Sequence, residues 1–272
     1  MSGFDTGISG RRILAAQDEG RKALVGFYHV GYPNVPDSLE ALRVLGDTCD
    51  LVEIGMPYSD PVMDGPTIQT AGTRALRAGV RTRDIFTAAE AVASRSATPV
   101  VMTYWNIVEQ YGPDAFARDL AAAGGAGVIT PDLIPDEAEE WFAASDAHGL
   151  DRIFLVSPSS TDERIRATVD ACRGWLYATS VMGVTGARSS TSSAAPELVA
   201  RIRDLAPEVP IGIGLGVSNA QQARETAEFA DAVIVGSALI RTMLDAEDAG
   251  NPSDTSALRD LATELAEGCG RG

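Results

Sequence analysis

The sequence has few of the residues that mark several large classes of protein. It contains only three cysteines and two histidines in 272 residues, and no cysteine pair has CxxC spacing, so neither a disulfide framework nor a metal site is predicted. No apolar run approaches the roughly 18 residues that a membrane-spanning helix needs. The first residues lack the charged and then apolar segments of a signal peptide. These absences indicate a reducing compartment, and we expect the protein in the cytoplasm.

Basic residues are also scarce. The 22 Lys and Arg stand against 38 Asp and Glu, which gives a formal charge of −16. A nucleic-acid-binding protein needs a basic surface to displace counterions, and an anionic membrane surface would repel this chain. Neither partner is expected, and an anionic substrate has to be held locally, by backbone dipoles and a few placed residues.

Short apolar segments alternate with helical segments along the chain. Eight runs have the length and the turn-forming flanks of strands that are buried on both faces. These predicted strands are Ala23–Val30, Leu51–Gly55, Pro99–Tyr104, Gly127–Thr130, Arg152–Val156, Trp175–Ser180, Pro210–Gly214 and Ala232–Val235. The predicted helices between and after them are Asp37–Leu45, Arg83–Ala93, Asp114–Ala123, Asp136–Ala147, Glu163–Ala171, Pro196–Leu205, Asn219–Phe229 and Ala238–Leu244.

Strands that alternate with helices predict an α/β fold with a parallel sheet. The chain length, and the absence of a dinucleotide-binding fingerprint after the first strand, favour a closed (β/α)8 TIM barrel over an open doubly wound sheet. Additional helices are predicted near the two termini, at Arg11–Glu19 and Asp254–Ala266. No linker interrupts the pattern, so we expect a single domain over residues 1–272.

Two carboxylates stand where such a barrel has its chemistry, at the carboxyl ends of the strands. Glu53 lies between Val52 and Ile54 in the second strand, and alternation directs it into the barrel, where a charge is costly to bury. Asp64 lies in the loop that follows and can fold back over the same opening. One carboxylate could then move protons while the other neutralises positive charge. The plainer alternatives are an ion pair for Glu53 and a turn-capping role for Asp64.

Glycine-rich pieces follow the sixth, seventh and eighth strands, at Gly183–Ala187, Gly212–Ser218 and Gly236-Ser237. Loops in this part of a TIM barrel commonly bind phosphate through backbone N–H groups at helix N-termini.

Several other polar residues near the strand ends have no assigned role. Tyr177 is either a substrate contact or a core residue. Tyr104, Asn106 and Asp132 are candidate lining or loop-anchoring groups, and Ser189–Ser193 is a candidate lid.

The run Leu51–Gln69, LVEIGMPYSDPVMDGPTIQ, resembles the signature of the tryptophan synthase alpha chain family, and the resemblance extends over nearly the whole chain. It implies a TIM-barrel lyase that cleaves indole-3-glycerol phosphate to indole and glyceraldehyde 3-phosphate. It also implies a beta-chain partner in an alpha-beta-beta-alpha complex, which receives the indole. No cofactor is implied for this chain, because pyridoxal phosphate belongs to the beta chain.

The resemblance also implies roles for individual residues. Glu53 matches the acid/base carboxylate, Asp64 the carboxylate that faces the indole N–H, and Tyr177 a tyrosine beside the glutamate. The phosphate cradle matches Gly186, Gly216, Gly236 and Ser237, and the indole pocket matches Phe27, Met102 and Leu215.

Three alternatives stay open at this point. The chain could be a lyase of the same family that releases indole without a beta chain. It could be a phosphate-binding barrel that catalyses an isomerisation, although the pairing of Glu53 with Asp64 argues against this. It could also be a non-catalytic activator of a beta chain, although both carboxylates are retained.

Overall fold

The computed structural model describes residues 3–179, 194–214 and 216–271. Its strands are β1 (Ala23–His29), β2 (Leu51–Gly55), β3 (Thr98–Met102), β4 (Gly127–Ile129), β5 (Asp151–Ile153), β6 (Leu155–Val156), β7 (Leu176–Thr179), β8 (Ile211–Gly214) and β9 (Ala232–Val235). Its α-helices are α1 (Gly7–Asp18), α2 (Val35–Thr48), α3 (Pro66–Arg77), α4 (Asp84–Ala93), α5 (Trp105–Tyr111), α6 (Pro113–Ala122), α7 (Glu139–His148), α8 (Asp162–Ala171), α9 (Ala194–Leu205), α10 (Ala220–Ala227), α11 (Ser237–Asp248) and α12 (Ser256–Gly268). A 3₁₀ turn at Pro135–Glu137 precedes α7.

The strands form one parallel sheet in the order β5-β4-β3-β2-β1-β9-β8-β7-β6. Because only Phe154 separates β5 from β6 along the chain, the two ends of this order meet and the sheet is a nearly closed barrel. The predicted TIM barrel is confirmed. The predicted fifth strand is divided in two, so the described ranges contain nine strands where eight were expected.

Two helices were not predicted, α3 and α5. The buried residues of α3 are Ile68, Ala71, Gly72 and Ala75, and such small side chains give only a weak apolar periodicity. Proline at its first position favours a helix start, but several prolines of the preceding loop give the same signal. Helix α5 has seven residues, too few for a helical repeat to be visible.

Helix α1 covers the amino-terminal end of the barrel. Its Ile13 and Ala16 are fully buried and pack with the inward side chains of the strands, among them Val25, Leu51 and Trp175. The predicted terminal helices are therefore confirmed, with α1 starting earlier than Arg11 and α12 ending later than Ala266.

Buried aspartates at the amino-terminal end of the barrel have many partners. Asp50, just before β2, lies 2.7 Å from Arg21, 3.0 Å from Arg12 and 2.9 Å from Arg271. Asp151, in β5, accepts hydrogen bonds of 2.6 Å from both the backbone N–H and the hydroxyl of Ser9. These contacts tie the terminal segments to the barrel.

The three cysteines are buried and free. Among the described helices, none combines the length and the apolar character needed to cross a membrane.

Candidate active site

Glu53 lies inside the barrel, on β2 below the carboxyl-terminal opening. It pairs in register with Phe27 of β1 and Val100 of β3, and it is only 2% exposed. Its Oε2 atom is buried without a hydrogen-bond partner in the described structure, and no described basic residue forms an ion pair with it. The alternative of an ion pair across the barrel therefore finds no support. Burial, followed by the nearby charge of Asp64, raises the pKa of Glu53 to about 8.

Asp64 lies at the end of the loop between β2 and α3, which we call the β2 loop (residues 56–65). Its backbone carbonyl accepts a hydrogen bond of 2.9 Å from the side-chain amide of Gln69. The capping position of α3 belongs to Gly65, where no side chain forms a capping hydrogen bond, so Asp64 does not cap this helix. Burial raises the pKa of the Asp64 carboxyl to about 6.

Tyr177 faces the interior from β7. Its ring stacks on Trp175, with ring centroids 5.6 Å apart, and its pKa is raised well above the ordinary value, by burial first and then by the charge of Glu53. A Cβ atom at Gly214 would lie 3.0 Å from the Tyr177 hydroxyl, and one at Gly212 would lie 2.4 Å from the Trp175 ring. These two glycines, part of a predicted phosphate-binding piece, therefore make room for aromatic rings inside the barrel.

Phe27 lies between Glu53 and the loop after β9. A Cβ atom at Gly55 would lie 2.4 Å from its ring, and one at Gly236 would lie 3.4 Å from its Cβ. The ring also meets His29 edge-on at 5.0 Å. Met102, which pairs with Gly55, is half-buried and packs against the interior side chains. Phe27 and Met102 therefore supply apolar surface next to Glu53, whereas Leu215 lies outside the described residues.

The helices that follow β8 and β9 begin differently. Gly216 has a φ of +71°, a conformation that favours glycine, and α10 is capped by the Asn219 side chain, which accepts from the backbone N–H of Gln222. Helix α11 starts at Ser237 after Gly236, and no side-chain cap hydrogen bond is present there. Because the first N–H groups of a helix have no partners within it, the start of α11 can receive an anion. Gly186 and the rest of the first predicted piece lie outside the described residues, as does the candidate lid.

The described residues contain no group of three or more His, Cys, Asp and Glu side chains that could hold a metal ion. His29 is buried, which lowers its pKa to about 4, so its imidazole is neutral at physiological pH. Its Nδ1 atom lies 3.2 Å from the carbonyl oxygen of Gly55. His29 therefore helps to hold the end of β2 beside the site.

The site thus combines a protonated carboxyl group, a second carboxylate and apolar surface with a helix N-terminus suited to an anion. Comparison with known proteins shows the family. Residues 13–269 match the family described as "Tryptophan synthase alpha chain". The chain belongs to the tryptophan synthase alpha chain family.

Individual tryptophan synthase alpha chains are similar to this chain over almost their whole length. That of Mycobacterium avium is 56% identical over 255 residues, 93% of this chain and 91% of that protein. That of Acidothermus cellulolyticus is 56% identical over 263 residues, 96% of this chain and 97% of that protein. A solved chain of Mycobacterium tuberculosis tryptophan synthase has a TM-score of 0.90 at 54% identity and covers 98% of this chain and 100% of its own length.

The family and the role predicted from the sequence are confirmed, since the known role of tryptophan synthase alpha chains is the cleavage of indole-3-glycerol phosphate. Membership of this family implies a lyase activity. The structure brings Glu53, Asp64, Tyr177 and Phe27 together at one end of the barrel. The roles of the individual residues stay predictions.

One feature of this alpha-chain site was missed by sequence reasoning, and one is now better defined. The stacking of Trp175 on Tyr177 was not predicted. Tyr104 and Asp132 were candidates for either lining or anchoring roles, and the structure shows both in contacts between loops.

Proposed function

We propose that this chain catalyses the retro-aldol cleavage of indole-3-glycerol phosphate to indole and glyceraldehyde 3-phosphate, with Glu53 as the proton-transferring group. The observation that carries this proposal is a buried carboxyl group inside the barrel, unpaired at Oε2, beside a second carboxylate. The other proposed residues surround these two groups.

The first step uses Glu53 as an acid. With a pKa of about 8, Glu53 is protonated at neutral pH and can donate to C3 of the indole ring. Protonation converts the ring to an indolenine, and positive charge develops at its nitrogen. The ionised Glu53 then accepts the proton of the glycerol hydroxyl next to the C3 bond. The O–H electrons form the aldehyde C=O, and the C3–C3′ bond electrons return to the ring. Glu53 ends protonated, as it began.

Asp64 is the counter-charge in this proposal. With a pKa of about 6, it is ionised at neutral pH while Glu53 is still protonated. A fixed carboxylate close to the ring nitrogen stabilises the positive charge of the indolenine and receives the nitrogen's proton in a hydrogen bond. The two carboxylates therefore have different tasks because they have different surroundings.

The remaining predicted residues bind and orient the substrate. Phe27 and Met102 contact the indole ring, and Leu215 joins them by resemblance to the family. The raised pKa of Tyr177 keeps its hydroxyl protonated, so it can donate a hydrogen bond beside Glu53. The phosphate lies at the start of α11, on the N–H groups of Gly236 and Ser237, and Gly216 contributes from the preceding loop. Gly186 is the fourth predicted phosphate contact.

The balance of this reaction requires no metal and no organic cofactor in this chain. We propose that the indole passes to a beta chain, which holds pyridoxal phosphate. Support comes from the similar solved chain, which belongs to a tryptophan synthase, and from two large apolar side chains exposed in loops at the site's end of the barrel. They are Val62, 68% exposed, and Ile134, 39% exposed.

Release of indole from indole-3-glycerol phosphate by the purified chain tests the proposal. Glu53→Gln removes the transferable proton with little change of shape, and Glu225→Gln is the matched control because Glu225 is exposed on α10. We expect indole release by the wild type and the control, and loss of it in Glu53→Gln with glyceraldehyde 3-phosphate binding retained. Substantial turnover by Glu53→Gln would remove Glu53 from its proposed role. A beta chain that fails to stimulate turnover would favour the stand-alone lyase.

A further inference from the structure

Tyr104 lies just after β3 and contacts the β2 loop. Its side chain is mostly buried and its hydroxyl oxygen accepts two hydrogen bonds, 3.0 Å from the backbone N–H of Val62 and 3.1 Å from that of Met63. Its ring stacks on Tyr58 of the same loop, with centroids 4.7 Å apart. One side chain therefore contacts the β2 loop at two separate points, the second of them directly before Asp64.

The middle of the β2 loop is exposed over several residues. Its first residue is held by a backbone hydrogen bond of 3.0 Å from Met56 to the carbonyl of Met102, and its end leads into α3. Between these points Ser59 and Asp60 are exposed, and the Val62 side chain projects into solvent. Since burial does not fix residues 59–60 and the Val62 side chain, the hydrogen bonds to the Tyr104 hydroxyl help to define the path of this segment.

Tyr104 is itself held from the next loop along the barrel. The carboxylate of Asp132, after β4, accepts hydrogen bonds of 2.9 and 3.1 Å from the backbone N–H of Trp105. This N–H begins α5, so its capping by Asp132 fixes the backbone beside Tyr104. Hydrogen bonds therefore link the loop after β4 to the loop after β3, and that loop to the β2 loop. The last of these contacts lies next to Asp64.

We propose that Tyr104 is a positioning residue whose hydroxyl holds the β2 loop so that Asp64 lies over the barrel opening beside Glu53. The effect on turnover rests on the proposed function, whereas the anchoring of the loop does not. The Tyr104 hydroxyl is the group that anchors the loop, because the ring alone can stack on Tyr58 but cannot accept hydrogen bonds from the N–H groups of Val62 and Met63.

Tyr104→Phe separates the two contributions, since it keeps the ring and removes the hydrogen-bond acceptor. The matched control is Tyr111→Phe. Tyr111 also loses a hydroxyl contact, a hydrogen bond of 2.6 Å to Asp119 on the outer surface, without touching the β2 loop. Thermal unfolding of both variants shows whether the overall fold is kept.

Three measurements on the full chain test the proposal. Amide hydrogen exchange at Val62 and Met63 reports the anchoring directly, and we expect it to be at least about tenfold faster in Tyr104→Phe. The NMR titration of the Asp64 carboxyl carbon reports its surroundings. A released loop admits water, so the titration should move from a pKa of about 6 to lower pH. In the indole-release assay kcat should fall by about 10- to 100-fold, with KM changed much less.

The outcomes separate the two proposals. Unchanged exchange at Val62 and Met63 overturns the anchoring role of Tyr104. Faster exchange at Val62 and Met63 with an unchanged Asp64 titration overturns the proposal that Tyr104 positions Asp64. If the wild type releases no indole, the proposed function fails, and exchange together with the Asp64 titration still decides whether Tyr104 positions that carboxylate.

Discussion

The two ends of the barrel treat buried carboxylates in opposite ways, and β2 shows both within four residues. Asp50, before the strand, is surrounded by the guanidinium groups of Arg12, Arg21 and Arg271. Glu53, inside the strand, has a buried Oε2 atom with no partner among the described residues. At the amino-terminal end, basic side chains of the protein pair with the buried carboxylate. At the carboxyl-terminal end, the buried carboxyl group stays available to a substrate. This is the division of stability from chemistry that TIM barrels show in general.

The strongest test of this comparison exchanges each carboxylate for its amide. Asp50→Asn leaves three arginines around a neutral group and should cost about 3–5 kcal/mol of unfolding free energy, while the folded fraction keeps its kcat. Glu53→Gln should lower kcat about 10³-fold and change the unfolding free energy at neutral pH by less than about 1 kcal/mol. Urea unfolding and indole release measure the two quantities. The comparison fails if both substitutions act mainly on stability.

The pH dependence of stability gives a second, smaller test. Glu53 has a pKa of about 8 in the folded chain, above its ordinary 4.5, so between these values the folded state holds a proton that the unfolded state releases. Its contribution to stability is complete below pH 4.5 and is lost as the pH rises through about 8. The wild type should therefore lose stability relative to Glu53→Gln as the pH rises. At about 1.4 kcal/mol per pH unit, the difference in unfolding free energy between the two proteins should change by roughly 3 kcal/mol between pH 5 and pH 8, in favour of Glu53→Gln.

Urea unfolding at several pH values measures this difference. Glu225→Gln serves as the control, because Glu225 is exposed and its amide should follow the wild type at every pH. Parallel curves for the wild type and Glu53→Gln would mean that Glu53 is not a protonated buried group.

The barrel could be predicted because the buried strands lie in short apolar runs, one of which holds both β5 and β6, and these runs alternate with helices. Glu53 could be predicted because a carboxylate between Val52 and Ile54 contradicts its local pattern. The hydrogen bonds of the Tyr104 hydroxyl could not, since backbone N–H groups of a loop leave no mark in side-chain patterns. The space that Gly212 and Gly214 give to aromatic rings was also hidden, because glycine in a strand and glycine in a phosphate loop look the same in sequence.

A third test compares two carboxylates within the β2 loop. Asp64→Asn should lower kcat about 100-fold, because no anion then faces the indole nitrogen. Asp60→Asn, the control, changes an exposed residue that accepts a hydrogen bond from Ser59 and should stay close to wild type. The wild-type kcat/KM should be highest between the pKa values of Asp64 and Glu53, about 6 and about 8. In Asp64→Asn the fall of kcat/KM on the acidic side of this maximum, the acidic limb, should disappear. Retention of that limb would assign it to another group.

The smallest expected effect comes from a comparison of two neighbouring helix N-termini. A side chain of the protein caps the N-terminus of α10, whereas no side chain caps that of α11. Ser237→Ala keeps the backbone N–H at the start of α11 and removes the hydroxyl. It should weaken glyceraldehyde 3-phosphate binding about tenfold if the hydroxyl also donates to the phosphate, since a hydrogen bond to a charged group is worth about 1.5–3 kcal/mol. Asn219→Ala removes the cap of α10 and should cost about 1 kcal/mol of stability without changing that affinity. Calorimetric titration and urea unfolding measure the two effects. If Asn219→Ala weakens phosphate binding as much as Ser237→Ala, the anion is held between both helices. The start of α10 would then belong to the site, even though the chain already caps it.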